Sequence, residues 1–404
     1  MARTLLKNAR TFLPDRLVDN ATVVIEDDRI ADVLPDARLD DPGIDFAGAW
    51  LLPGLIDIHT DYLEKEINPR PQTNFPLELA FHYMDLRAIG SGLTTVLGAV
   101  RVSDEDDGGA NGSVWRRNGL ELGREYDRLA PHYLARHRIH VRWDTNFEPC
   151  DAAIAALRSL KTLGNIVFNE NIPGQRQFRN LEDIARKRAA RGDLSLEDAR
   201  AELEARIATA SQINNRSQVA AAFGGKVLLG SHDDTTVDHV VEAHAAGCTL
   251  AEMPTTLAAA RKARELGLWI CMGAPNYYRG GSHCGNLSCH EALDAGLVDI
   301  LCSDYHFPSL LGSLIKMLAA GIDPARAANC FTLNPARALG WADTIGSIEP
   351  GKLADLIAVQ PADGYGRVLG AWVGGTRRFA ADEPPAPPHP ETTTPLPSHD
   401  LATA

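Results

Sequence analysis

Trp50-Leu-Leu-Pro-Gly-Leu-Ile-Asp-Ile-His-Thr-Asp61, followed by Tyr62-Leu-Glu64, is the stretch on which the reading of this chain turns. Pro53-Gly54 punctuates it, and Leu55-Ile56-Asp57-Ile58 has the make-up of a short buried strand. His59 and Asp61 stand two apart at the end of that strand. Side chains repeat with a period of two along a strand, so both point to one face and can reach one metal ion. An isolated His-x-Asp is more often only the polar end of a strand. The apolar run and the Pro-Gly before this pair, with further ligand types downstream, favour the metal.

Outward from this stretch, strand and helix patterns alternate. Leu77 to Ile89 is helical in spacing, and Gly90-Ser-Gly92 breaks it. Strand patterns then fall at Leu93–Leu97, Ile139–Trp143, Asn165–Phe168, Lys226–Leu229, Thr249–Glu252, Trp269–Met272 and Val298–Cys302. With Leu55–Ile58 these make eight, which is the order of a TIM-like (β/α)8 barrel, here placed over residues 53–342. Residues 181–222 interrupt the alternation with a helical insertion rich in Ala, Arg and Glu. At the ends of the chain, residues 1–52 and 343–382 carry short strands and turns (Thr22–Glu26, Asp27-Asp28, Arg29–Val33, then Gly346–Val359) that suit one small β-sandwich. The Pro-rich tail, 383–404, lacks core-forming residues and is expected to be disordered.

A barrel of this kind exposes side chains where its strands end, and polar bursts occur there. Asn169-Glu170-Asn171 follows one strand, Ser231-His232-Asp233-Asp234 another, and Ser303-Asp304-Tyr305-His306 the last. His59, Asp61, Glu170, His232 and Asp304 therefore share one end of the barrel as candidate metal ligands. Imidazole with carboxylate suits Zn²⁺ first, then Mn²⁺ or Fe²⁺, as one or two ions. After the seventh strand, Gly273-Ala-Pro-Asn276-Tyr-Tyr-Arg279-Gly-Gly-Ser-His283 offers exposed amides, an Arg and a His suited to cradling phosphate.

Composition bounds the partners. The chain has 404 residues and a net charge of −13, which argues against a general binder of nucleic acid or of an anionic membrane. No apolar run approaches the roughly 18 residues of a membrane span. The first residues lack the apolar core of a signal peptide. The seven cysteines are scattered without a Cys-x-x-Cys pair, as expected of reduced thiols in the cytoplasm. The expected partner is a small phosphorylated molecule, and the insertion offers a surface for a homo-oligomer.

Taken together, Leu52–Asp61, Pro69-Arg70-Pro71, Pro173-Gly-Gln-Arg-Gln177, Ser231–Thr236, Glu252-Met-Pro-Thr-Thr256, Gly273–Asn276, Arg279–His283 and Ser303-Asp-Tyr305 resemble the amidohydrolase superfamily. Within it they resemble the branch of triphosphate diphosphatases that acts in phosphonate breakdown. The resemblance implies hydrolysis of a ribose 5-triphosphate phosphonate to the 5-phosphate and pyrophosphate, with the five ligands above as metal site. Asp304 would act as general base, and Arg70, Arg176, Arg279 and His283 would meet the phosphates. Two rivals are a hydrolase acting on an amide, lactam or amidine carbon, and a metal-poor scaffold barrel. The chain departs from the branch at Met84, Gly98, Asn171 and His306, all expected to lie near the site.

Overall fold

The computed structural model describes residues 3–35, 41–70, 73–103, 119–146, 150–170, 172, 176, 181–190, 194–210, 213–282 and 285–381. His283, Asn171 and the 383–404 tail lie outside these. Two eight-stranded sheets organise the chain. The first joins the chain ends: β1 (Arg3–Phe12), β2 (Leu17–Glu26), β3 (Arg29–Pro35), β4 (Ile44–Asp45) and β5 (Trp50–Pro53) come from the start. The second is β6 (Leu55–Thr60), β7 (Leu93–Val102), β8 (Arg136–Asp144), β9 (Leu163–Asn169), β10 (Leu228–His232), β11 (Leu250–Glu252), β12 (Trp269–Gly273) and β13 (Ile300–Cys302). From the end of the chain, β14 (Leu356–Ala362), β15 (Tyr365–Val373) and β16 (Thr376–Ala380) return to the first sheet.

The eight expected barrel strands are all present, parallel and in sequence order. Ile56, Ile58, Leu97, Val167, Leu228, Leu250, Cys271 and Ile300 pack in one buried cluster drawn from seven of the strands, the filled interior of such a barrel. Helices cover the outside, where Phe81, Tyr126, Trp143, Phe168 and Phe307 belong to the larger core. The barrel nearly closes. Thr60 bridges Asp304 in parallel fashion, Asp61 N donates to Asp304 O at 2.6 Å, and Asp304 N donates to His59 O at 3.1 Å.

The terminal strands form one continuous sheet, with β5 pairing β14 from Pro53–Leu356 to Trp50–Val359. Leu6, Val23 and Ile30 share a core with Leu356, Ala358 and Trp372, so strands from the two chain ends close on one another. The insertion is a pair of helices, Leu181–Ala189 and Leu196–Ala210, packed through Ala185, Ala199 and Leu203 and followed by Arg216–Phe223. The six described cysteines are free thiols. No helix among the described residues is long and apolar enough to cross a membrane.

Two of the departures do not lie where the sequence suggests. Met84 is fully buried in the helix Leu77–Gly90. Asp85 beside it accepts from Leu134 N and Ala135 N and contacts His137 Nε2 at 2.8 Å. That pair sits at the start of β8, the opposite end of the strand from the mouth. Gly98 lies under Tyr126: a Cβ there would come within 1.8 Å of the Tyr126 hydroxyl. An acidic side chain at 98 would displace the helix Gly119–Leu129. His306, exposed and two residues past Asp304, stands by the mouth.

Candidate metal centre

The strand ends converge on one buried carboxylate, Glu252. It closes β11, is fully buried, and its Oε2 lies 2.9 Å from His59 Nδ1. His140 Nε2 and His232 Nε2 are each 3.7 Å from the same oxygen. The imidazoles gather closely, with ring centroids of His59 4.4 Å from His140 and 5.6 Å from His232. His59 Nε2 in turn stands 3.7 Å from Asp61 Oδ1. Two sets of ligand atoms, each lying within 4.8 Å of one another, therefore share His59: His59, His232 and Glu252, and His59, Asp61 and Asp304.

The chain turns sharply just after these side chains. Asp233, Met253 and Asp304 have φ of 58°, 53° and 55°, a left-handed backbone that costs a residue other than glycine about 1–3 kcal/mol. Such strain is tolerated where the surroundings fix it. Here Asp233 N donates to Glu252 O and Met253 N to Cys271 O, so the turn after each strand is tied to the strand beside it.

Electrostatics follow from burial and proximity. Burial alone would push Glu252 up, but His59 first, then His140 and His232, hold it at about 2. Burial would pull His59 down, yet Glu252 and Asp61 raise it well above the usual imidazole value. His140 goes the other way, brought down by burial to about 3. Asp304 is raised by burial, with the Asp61 charge adding and His59 opposing. Asp57, buried beneath the site and accepting from Ser303 N at 2.9 Å, is pushed by burial to about 7.

The residues fit a divalent ion. His140 Nδ1 lies 3.0 Å from Ile58 O; as the donor in that bond it leaves the Nε2 lone pair facing Glu252, the arrangement common to metal-binding histidines. That Nε2, His59 Nδ1, His232 Nδ1 and both Glu252 oxygens are buried with no aligned hydrogen-bond partner. Buried polar atoms in this state are costly unless something further satisfies them. Borderline nitrogen donors with hard carboxylate oxygens form a set that a first-row divalent ion accepts.

Of the five expected ligands, His59, Asp61, His232 and Asp304 come together and Glu170 joins neither set. Its carboxylate is taken up by Arg176 Nη2 at 2.9 Å and Arg216 Nη2 at 2.6 Å, which hold it below the usual carboxylate range against the effect of burial. Arg176 is itself 3% exposed. It donates to His232 O at 3.0 Å and to Asp234 Oδ1 at 2.5 Å, so it braces the His232 turn. Arg279 is exposed and 3.4 Å from the Tyr305 hydroxyl, and Arg70 is exposed on the surface. Sequence reasoning overlooked Glu252, His140 and Arg142. Glu252 had a usable signal, since it ends a strand. His140 lies inside an apolar strand that hides it.

These observations define a class. The chain belongs to the amidohydrolase family, whose model matches residues 50–383. It is 35% identical over 386 residues to the alpha-D-ribose 1-methylphosphonate 5-triphosphate diphosphatase of Escherichia coli (strain K12), covering 93% of this chain and 100% of that one. An imidazolonepropionase of Porphyromonas gingivalis is 24% identical over 370 residues, with 84% of this chain and 83% of that one covered. The fold matches N-acetylglucosamine-6-phosphate deacetylase from Pasteurella multocida with a TM-score of 0.60, at 14% identity and covering 93% and 99% of the two chains.

Proposed function

We propose that the chain is a metal-dependent diphosphatase that hydrolyses alpha-D-ribose 1-methylphosphonate 5-triphosphate to the 5-phosphate and pyrophosphate, in phosphonate breakdown in the cytoplasm. The relative at 35% identity over nearly the whole chain supports the substrate. The observation that carries the chemistry is the buried group of His59, His140, His232 and Glu252, whose ring nitrogens and carboxylate oxygens crowd together without aligned hydrogen bonds. These four, with Asp61 and Asp304, would hold one or two ions, zinc first and manganese or iron after it. When bound, a divalent ion acts as a Lewis acid and lowers the pKa of water from near 16 toward about 7.

The protein's own groups do the rest. Asp304, raised by burial and facing His59 and Asp61, accepts the proton of the attacking water and orients it. His306, exposed two residues on, is the next candidate for that proton. Asp61 is held by the Arg142 guanidinium, which keeps it ionised despite burial. Arg176 fixes the His232 turn, so that imidazole keeps one orientation through the reaction. The substrate is a small molecule, which a mouth at the barrel's strand ends suits better than a polymer.

The likeness to an imidazolonepropionase keeps a second reading, attack on an amide or amidine carbon. Phosphorus NMR of the metal-loaded protein with the triphosphate decides between them: pyrophosphate supports the first reading. No pyrophosphate, with ring opening of a lactam or amidine, establishes the second. A chain that binds no metal under any loading overturns both in favour of a scaffold.

A further inference from the structure

Three of the described arginines near the mouth use their donors differently. Arg176 is enclosed, with bonds of 2.5 to 3.0 Å from each of Nε, Nη1 and Nη2. Arg279 is exposed at the end of the helix Ala274–Arg279 with one long contact. Arg142, on β8 two residues beyond His140, is intermediate, with its side chain 25% exposed. Its Nη1 is split between the two Asp61 oxygens at 3.3 and 3.2 Å, and its Nη2 lies 3.5 Å from Asn169 Oδ1. Charge-assisted bonds normally run about 2.7–2.9 Å. A guanidinium has five N–H donors, so these long contacts leave it capacity for another acceptor.

Its neighbour points the same way. Arg101 on β7 is in register with Arg142 and bonds Asp144 Oδ2 at 2.7 and 3.1 Å. The two positive charges oppose one another, and like charges side by side on a sheet destabilise it. Asp61 and Asp144 offset part of that repulsion, and an oxyanion lying over the pair would offset more. The position is also right for a substrate. Asp61 links the guanidinium to His59, while Arg142 is far more exposed than His59 or Glu252, so it faces the side from which substrate arrives.

We propose that Arg142, backed by Arg101, is the guanidinium that grips the phosphoryl oxygens of a di- or triphosphate above the histidine–carboxylate cluster. This rests on the phosphate reading of the site and moves the phosphate contact from Arg176 and Arg279 to β8. On binding, Nη2 and Nε engage phosphoryl oxygens while Nη1 stays on Asp61.

The test uses full-length, metal-loaded wild type, Arg142→Lys and Arg142→Gln. Bound metal per chain is measured first, then pyrophosphate affinity by calorimetry, which needs no turnover, then kcat/KM for the triphosphate. The expected result is equal metal content. Pyrophosphate binding should be about tenfold to a hundredfold weaker in Arg142→Gln, as for loss of one or two charge-assisted bonds, with a smaller loss in Arg142→Lys. Unchanged pyrophosphate affinity overturns the proposal. So does a weakening that follows metal loss in proportion, which would make Arg142 only a support for Asp61. If the wild type releases no pyrophosphate from any triphosphate, the functional reading fails, and the pyrophosphate affinities of the three proteins still decide the role of Arg142.

Discussion

The Arg176 corner and the Arg142 corner border the same histidine–carboxylate cluster and show two ways of placing a cation there. Arg176 is enclosed, with Glu170 and Asp234 as short ion-pair partners and the His232 carbonyl as a third acceptor. Arg142 holds Asp61 loosely and remains in reach of the mouth. A buried arginine with short bonds from all three of its nitrogens shapes the site, because moving it strands the charges around it. A partly exposed arginine with long contacts can exchange one of them for a ligand. Residue type alone does not separate these roles; burial and bond length do.

The largest effect expected lies between the two corners. Glu252→Ala removes the carboxylate on which three histidines converge, and metal content and activity should fall together to near zero by elemental analysis and pyrophosphate assay. A Glu252→Ala protein that keeps both would move the centre elsewhere. Asp304→Asn comes next, with turnover reduced about 10²- to 10⁴-fold and KM little changed, because an amide cannot accept the proton. Near-normal kcat in that variant would pass the base role to His306.

Stability sharpens the comparison. Arg176→Met leaves Glu170 and Asp234 buried without their common partner, at an expected cost of about 3–5 kcal/mol in denaturant unfolding. Arg142→Gln should cost much less, since its contacts are long and Asp61 is partly exposed. Equal losses would erase the distinction drawn between them. A smaller effect is expected from pH. Glu170 is depressed in the folded protein, so its contribution is present above the ordinary glutamate value of about 4.3 and is lost as pH falls through the lower folded value. The stability difference between wild type and Glu170→Gln should therefore shrink below about pH 4. The smallest effect belongs to Arg279→Ala. Exposed and weakly bonded, it should change pyrophosphate affinity by less than about threefold, against tenfold or more for Arg142.

What the sequence by itself determined is the order of things along the chain. Eight apolar segments with polar bursts at their ends specify the barrel and which end is functional, because a strand's residues pair locally with their own pattern of burial. His59, Asp61, His232 and Asp304 were legible for that reason, each lying at or just past a strand end. The likeness between the two chain ends and one small domain was legible too, through turn and strand signals at both. What only the tertiary structure decided is which charges meet. Glu170 and Arg176 read as ligand and phosphate contact, yet they pair with each other and with partners from elsewhere in the fold, Asp234 in the loop after β10 and Arg216 at the start of the helix Arg216–Phe223. His140 reads as one polar residue in an apolar strand, and becomes part of the centre because its Nδ1 faces Ile58 O across the barrel and its Nε2 faces Glu252. Coulomb energy and hydrogen bonding act over a few ångströms in space whatever the separation in sequence, so the use made of each charge was fixed only when the strands closed into a barrel.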